Sequence, residues 1–310
     1  MTLHVLCLNP ALDKLYVIDR FAAGEVYTGQ SPRVCAGGKG VNVARVLSQL
    51  GAFPRVYAFM GETGAEPIRR EMQDRCDCSF IAVPGACRTT VNIVDRALGQ
   101  ETVISEAGPR VTHAHVESLL RALRENVRAG DIVCCSGSVI AGAPKDIYAQ
   151  VSRLCGKVGA LCALDCNASA LGPSLDGAHY ALGKPNEREL AALLGETPPH
   201  DAREAARMAR RMMPPYGALL VSMGPAGGVY VTRDGALAAV VPHLEVVSTV
   251  GCGDASFAGA LLAFAHGMDA KQTLRLAMAC GAACAVNSNP GSVDKATVDR
   301  LLGQIDVQAI

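Results

Sequence analysis

Short apolar runs alternate with amphipathic stretches along most of the chain. Arg55 to Met60, Asp131 to Ser136, Ala160 to Asp165, Tyr180 to Gly183 and Ala218 to Ser222 read as strands, as does the apolar opening before Asn9, and the segments between them carry helical spacing. This alternation predicts βαβ units, a mainly parallel sheet and helices packed on it. Val41 to Leu50 puts Val43, Val46, Leu47 and Leu50 on one face of a helix that a glycine-rich turn opens and Gly51 stops. Two regions break the rhythm. About 12–35 and 88–104 alternate like strands (Leu15, Val17; Val91, Ile93) with no helix between, and read as hairpins outside the parallel sheet. A small antiparallel sheet of this kind acts as a lid, covering a cleft and excluding water from it. No repeat or long linker interrupts the pattern, so 1–310 is expected to be one domain carrying a lid.

Composition narrows the function classes. Twenty-nine basic residues balance twenty-nine acidic ones, so no overall field draws the chain to nucleic acid or an anionic membrane, and any anion site must be local. Tyr216 to Thr232 is uncharged, but Gly217, Pro225 and Gly227-Gly228 spoil it as a spanning helix. The start lacks the basic segment of a signal peptide. The thirteen cysteines are odd in number and sit in apolar runs such as Ile132-Val133-Cys134-Cys135, which reads as buried reduced thiols in a cytoplasmic protein. Cys76 with Cys78, or Cys280 with Cys284, lacks the histidine or second cysteine pair of a zinc site.

Four clusters carry chemistry. In Gly37-Gly38-Lys39-Gly40-Val41-Asn42, glycines let the backbone approach a ligand, Lys39 brings a point charge, and Asn42 offers donors and an acceptor at a helix start. Glycine follows Lys39 where a Walker A loop needs Ser or Thr. In Gly251-Cys252-Gly253-Asp254 a glycine turn opens a helix rich in Ala and Leu, whose free N–H groups would make an anion hole. Asp254 reads either as an N-cap or as a general base beside a bound phosphate. Lys184-Pro185-Asn186-Glu187-Arg188-Glu189 has capping-box spacing, which also suits a hydrated Mg²⁺ near phosphates. Ser222-Met223-Gly224-Pro225-Ala226-Gly227 follows a buried strand, where open α/β sheets bind ligands.

Their order and spacing resemble the PfkB, ribokinase-like carbohydrate kinases over essentially the whole chain, most closely the branch of 1-phosphofructokinases and tagatose-6-phosphate kinases, which Leu8-Asn9-Pro10-Ala11-Leu12-Asp13, Glu101-Thr102, Gly108-Pro109 and Ser136-Gly137-Ser138 also resemble. The resemblance implies a three-layer α/β/α sandwich with a mainly parallel sheet and a small antiparallel lid. It implies ATP-dependent transfer to a hydroxyl of a ketohexose monophosphate, with Asp254 as base and Gly251, Cys252 and Gly253 steadying the phosphoryl charge. Asp13, Gly38, Lys39, Asn42, Arg88, Asn92 and Ser138 would contact the sugar. Lys184, Asn186, Ser222, Gly224 and Gly227 would hold ATP, with Cys280, Ala283 and Asn287 beside the adenine, and Asn186 and Glu189 would position Mg²⁺. Lids in this family often pair in homodimers.

The departures bear on the acceptor. Many relatives carry arginines where this chain has Thr28 and Thr90, which leaves Arg88 and Lys39 as the charges for a sugar phosphate. Cys252 replaces a usual alanine in the anion-hole turn. An unphosphorylated sugar and a non-catalytic sugar- or nucleotide-binding role are the competing readings.

Overall fold

The computed structural model describes all 310 residues. The chain opens with β1 (Leu3–Cys7), β2 (Ala11–Ile18), β3 (Arg33–Gly37), α1 (Lys39–Gln49), β4 (Arg55–Thr63), α2 (Glu66–Gln73), β5 (Asp77–Ala86), β6 (Arg88–Asp95) and β7 (Gln100–Ser105). It continues through α3 (His113–Asn126), β8 (Ile132–Ser136), α4 (Ile147–Val158), β9 (Leu161–Asp165), α5 (Ala168–Ser174), β10 (Tyr180–Gly183), α6 (Glu187–Leu194), α7 (Ala202–Arg211) and β11 (Tyr216–Ser222). It ends with β12 (Gly228–Thr232), β13 (Ala236–Val240), α8 (Cys252–Ala265), α9 (Ala270–Ala285), α10 (Lys295–Leu302) and β14 (Asp306–Ala309).

Ten strands form the main sheet in the order β14-β13-β12-β11-β10-β9-β8-β1-β4-β5, parallel from β11 to β5 and antiparallel through β12, β13 and β14. Strand periodicity divides the core. Val5 and Cys7 of β1 face α1, α2, α8, α9 and α10, while Leu6 and the following Leu8 face α3 to α7. Both faces are covered, so the fold is the expected three-layer sandwich. Among the expected strands, β10 keeps its bounds and the others move by a few residues at an end; helix α1 starts at Lys39 rather than Val41. Gly38 takes φ 96° as its N-cap, and Gly40 makes room for Cys7, whose Cβ would lie 2.5 Å from a Cβ at position 40.

The small sheet runs β3-β2-β6-β7. β2 with β3 and β6 with β7 are antiparallel, as the alternation predicted, and the two pairs join along β2 and β6, which run parallel from Ala11↔Arg88 to Ile18↔Asp95. The parallel seam follows from connectivity. β2 leaves β1, and β6 leaves β5, at the same edge of a sheet in which β1 and β5 point the same way. No helix is long and apolar enough to cross a membrane.

Helix α8 carries one charge, Asp254, and is buried from that residue to Ala263. It packs against α1, α9 and the strands β8, β9 and β11. Its approach to α9 depends on glycine: a Cβ at Gly259 would lie 2.8 Å from Cys280 Sγ and 2.9 Å from the Leu276 carbonyl oxygen, and one at Gly281 would lie 2.2 Å from Ser256 Oγ. Cys280 is therefore a core residue of this interface with no exposed surface, which corrects its expected place beside an adenine; Ala283 is buried as well. Gly259→Val would overpack the interface, and we expect a loss of roughly 1–3 kcal/mol, read as a lower Tm in thermal unfolding. An unchanged Tm would contradict the close approach.

Candidate active site

The parallel strands end at one edge of the main sheet, and β1 lies where the chain turns from building toward β4 and β5 to building toward β8 and beyond. Such a switch point leaves a crevice at the carboxyl ends of the strands. Here the crevice is a cleft of about 610 Å³, with Asn9, Lys39 and Ser138 on the main body and Arg88, Ser105 and Glu106 on the small sheet. Asn9 Nδ2 donates to Ser138 Oγ at 3.2 Å. Arg88 donates from Nε to the Asn9 carbonyl at 3.0 Å and from Nη1 to Ser105 Oγ at 2.5 Å, spanning the two walls.

Asp13 lies on β2 beside Gly37, where a Cβ would overlap its carboxylate at 2.0 Å, so the glycine is needed for Asp13 to occupy this place. Burial pushes the Asp13 pKa up, against Arg88 and Thr90, which pull it down. Thr90 and Asn92 are both buried at alternate positions of β6, in the same set as Arg88.

Gly251, at φ 78°, is the N-cap of α8, and a Cβ there would meet Gly291 Cα at 2.4 Å. The capping reading of Asp254 is thereby set aside: it stands in the first turn, buried, and its Oδ2 accepts from Asn42 Nδ2 at 2.8 Å. The Cys252 N–H is taken by the Thr249 carbonyl at 3.3 Å, whereas those of Gly251 and Gly253 have no acceptor within the protein. The anion-hole donors are thus the two glycine N–H groups rather than all three of the turn. Over them lies Lys184, whose Nζ would be 3.2 Å from a Cβ at Gly253.

Asp165, at the carboxyl end of β9, ties these parts together. It has no exposed side-chain surface; its Oδ1 accepts from Lys39 Nζ at 2.9 Å and its Oδ2 lies 3.4 Å from Lys184 Nζ. Lys39 Nζ is also 3.7 Å from Glu189 Oε1. Burial opposes the charge on Lys39, but Asp165, Asp254 and Glu189 outweigh it and hold the ammonium protonated well above its ordinary range. Burial, and then the Asp165 charge, push Asp254 up to about 6 against the pull of Lys39, Asn42 and Lys184. A buried carboxylate in that range is matched to taking a proton near neutral pH.

Three expected roles change. Lys39 turns its ammonium to Asp165 and Glu189 rather than to an acceptor phosphate. Asn42 spends its carboxamide on Asp254 and on Arg45, whose Nη1 donates to Oδ1 at 2.7 Å, so it holds the carboxylate rather than a sugar. Asn186 is an N-cap in full: its Oδ1 accepts from the N–H groups of Arg188 at 2.9 Å and Glu189 at 2.8 Å, while Glu189 Oε2 accepts from the Asn186 N–H at 2.9 Å. Asn186 Oδ1 is thereby saturated, whereas Glu189 Oε1 remains open toward Lys39.

Ser222 ends β11 beside Asn186, and Gly224 (φ 54°) and Gly227 (φ 89°) shape the turn that follows. A Cβ at Gly227 would meet the Ala239 carbonyl oxygen at 2.0 Å. Asn287 follows α9, with its Oδ1 accepting from the Asn289 N–H. The sequence reading missed Asp165 as a functional group, although an acidic residue closing an apolar strand of an α/β sheet was a usable signal. It also missed Arg45, which stands three positions from Asn42 on one helix face, and Glu71, which no local spacing links to them.

The family of pfkB carbohydrate kinases matches residues 7–296. The 1-phosphofructokinase of Rhodobacter capsulatus is 37% identical over 289 residues, covering 90% of this chain and 89% of that protein. The 1-phosphofructokinase of Xanthomonas campestris pv. campestris is 33% identical over 279 residues, covering 88% of this chain and 87% of that protein. In fold, phosphofructokinase-2 of Escherichia coli in complex with substrates and products superposes with a TM-score of 0.89 at 24% identity over 98% of this chain and 99% of that one. The chain belongs to the pfkB family and is a carbohydrate kinase.

The raised Asp254 pKa has a consequence for stability. Between the ordinary carboxylate value of 3.8 and about 6, the native state holds a proton that the unfolded state has lost, so this group's contribution to stability falls as pH rises through that window. Asp254→Asn, neutral at every pH, should therefore melt above the wild type at pH 7 to 8, with the gap closing toward pH 4. A Tm gap independent of pH would show that Asp254 is not held up by its surroundings.

Proposed function

We propose that this kinase transfers the γ-phosphoryl group of ATP to a hydroxyl of a ketohexose monophosphate, of which fructose 1-phosphate is the leading example. The observation that carries this reading is the cleft between the two sheets, where Arg88, a cation fit to grip a phosphate, and Lys39, paired into the cluster around Asp254, line one space. The names of the curated relatives support the same acceptor.

On this reading the sugar phosphate sits under Arg88, Ser105 and Ser138, with its reacting hydroxyl toward Asp254. Asp254 takes the hydroxyl proton as the oxygen attacks the γ-phosphorus, and the bond from that phosphorus to the β-phosphate bridging oxygen breaks, leaving ADP and a sugar bisphosphate. The free N–H groups of Gly251 and Gly253, at the positive end of α8, and the Lys184 ammonium offset the charge on the transferring group. ATP lies over Ser222, Gly224 and Gly227, with Asn287 near its base.

Mg²⁺ would neutralise the phosphates of ATP. Asp165 Oδ2 is a buried oxygen with no hydrogen-bond partner, and Glu189 Oε1 is open, so these two suit a hydrated ion held through water, whereas the saturated Asn186 oxygen does not. The small sheet acts as the lid, and its exposed Val17, Val34, Val103 and Ile104 suit pairing with the lid of a second copy. All thirteen cysteines are free thiols, which suits a reducing cytoplasm.

Asp254→Asn should lower kcat by roughly 10²–10⁴ with ATP binding retained. In the wild type, kcat/KM should fall about tenfold per pH unit below about 6, where Asp254 becomes protonated and cannot accept the proton. Activity of the variant within a few fold of wild type would remove the base. Arg88→Ala, assayed side by side on fructose 1-phosphate, tagatose 6-phosphate and free hexoses, should cost about 10- to 100-fold in kcat/KM for the preferred sugar phosphate and little for a free hexose. A wild-type preference for a free hexose would overturn the acceptor assignment.

A further inference from the structure

Asn42 has two chemically different ends, and only its nitrogen end suits the Asp254 carboxylate. The residue that selects this orientation is Arg45, three positions along α1 and only 3% exposed. A guanidinium has donors and no acceptor, so the Asn42 oxygen must face it, which leaves the Asn42 NH₂ for Asp254 Oδ2. In the reversed carboxamide, donor would face donor at Arg45 and oxygen would face carboxylate at Asp254.

Arg45 is itself held from several sides. Its Nε donates to Glu71 Oε1 at 2.6 Å, Nη1 reaches the Gly291 carbonyl at 3.2 Å, and Nη2 bonds the Ala36 carbonyl. The other oxygen of Glu71 accepts the Ala36 N–H at 2.8 Å. Ala36 belongs to β3 of the small sheet, and Gly291 packs against the Gly251 turn, so one guanidinium joins the small sheet, the anion-hole turn and Asn42. Asp254 Oδ1, by contrast, has no hydrogen-bond partner within the protein.

We propose that Arg45, braced by Glu71, is a positioning residue for phosphoryl transfer: it locks the Asn42 carboxamide so that Asp254 is held through Oδ2 and presents Oδ1 to the reacting hydroxyl. This rests on the reading of Asp254 as proton acceptor. Asp165, Lys39 and Lys184, with the thiols of Cys134, Cys252 and Cys284, also lie near Asp254, and none of them is bonded to Arg45.

The test is a double-mutant cycle on the full chain with Arg45→Lys, Asn42→Ala and the double variant, each measured for kcat, KM for ATP, pH profile and Tm. A lysine cannot span Glu71, Asn42 and Ala36 together. Each single variant should lose roughly tenfold or more in kcat with KM for ATP within about threefold, and the acid limb of kcat/KM should move to higher pH as the bond favouring the ionised carboxylate is lost. The double variant should be no worse than Asn42→Ala alone, because Arg45 acts through Asn42. Losses that multiply, or a lowered Tm with an unmoved acid limb, would overturn the proposal and leave Arg45 a packing residue. Glu71→Gln keeps the shape and should shift kcat and the acid limb in the same direction by less, which serves if Arg45→Lys does not fold; no shift there would likewise overturn the proposal. Failure of the base reading is a separate outcome, visible as retained turnover in Asp254→Asn.

Discussion

Two carboxylates, Asp254 and Asp165, are buried close enough that the charge of one raises the pKa of the other, and the site depends on how this is compensated. A buried ion left unpaired costs several kcal/mol, so the arrangement requires cations close by. Lys39 arrives from the start of α1 and Lys184 from the end of β10, and they hold Asp165 from both sides. Those lysines must stand where they do, which fixes the spacing of α1 from the sheet edge and brings Asn42 onto Asp254. The same balance leaves Asp254 with a pKa near neutrality rather than at an ordinary carboxylate value. Fold and reactivity thus answer to one electrostatic condition.

Glycine makes that condition reachable. Gly40 lets α1 approach Cys7, Gly251 lets the α8 turn rest on Gly291, and Gly259 with Gly281 lets α8 and α9 close on each other. The Gly251 contact sets the start of α8 at a turn whose Gly251 and Gly253 N–H groups have no acceptor within the protein, and the Gly259 and Gly281 contacts pack the body of α8 on α9. These positions lack side chains because backbone, or a side chain that cannot give way, occupies the space.

Much of this was legible in the chain before the structure. The inner parallel strands announce themselves because burial on both faces makes them apolar, whereas β5, parallel but half-buried at the sheet edge, was not predicted; the glycine turns at 37–40 and 251–253 mark helix starts. The last three strands were hidden: β12 follows β11 inside one uncharged stretch, and the polar β14 pairs only at the sheet edge. Asp254 was legible as a cap or a base, and only its placement inside the first turn, behind Gly251, separates the two. The pairing of Lys39 with Asp165 and of Asn42 with Asp254 was not legible, because the sequence shows which groups approach the cleft but not which carboxylates wait there. The i, i+3 spacing on α1 pairs Arg45 with Asn42, but Glu71 and Gly291 come from separate segments and meet Arg45 only in space, so no spacing rule finds them.

The two ends of the cleft are built differently. Beside Asp254, Asn42 is buried and serves both Arg45 and the carboxylate; its removal leaves two buried partners unsatisfied and is costly. At the small sheet, Arg88 is half-buried and bonds a backbone carbonyl and a serine hydroxyl, neither of which is left as a buried charge if the arginine is lost. Loss of Arg88 therefore leaves no buried charge unpaired, whereas loss of Asn42 leaves both Arg45 and Asp254 short of a partner. The cleft thus has a half-buried arginine on the small sheet at one wall and, beyond Lys39, a cluster of buried charges around Asp165 and Asp254 at the other.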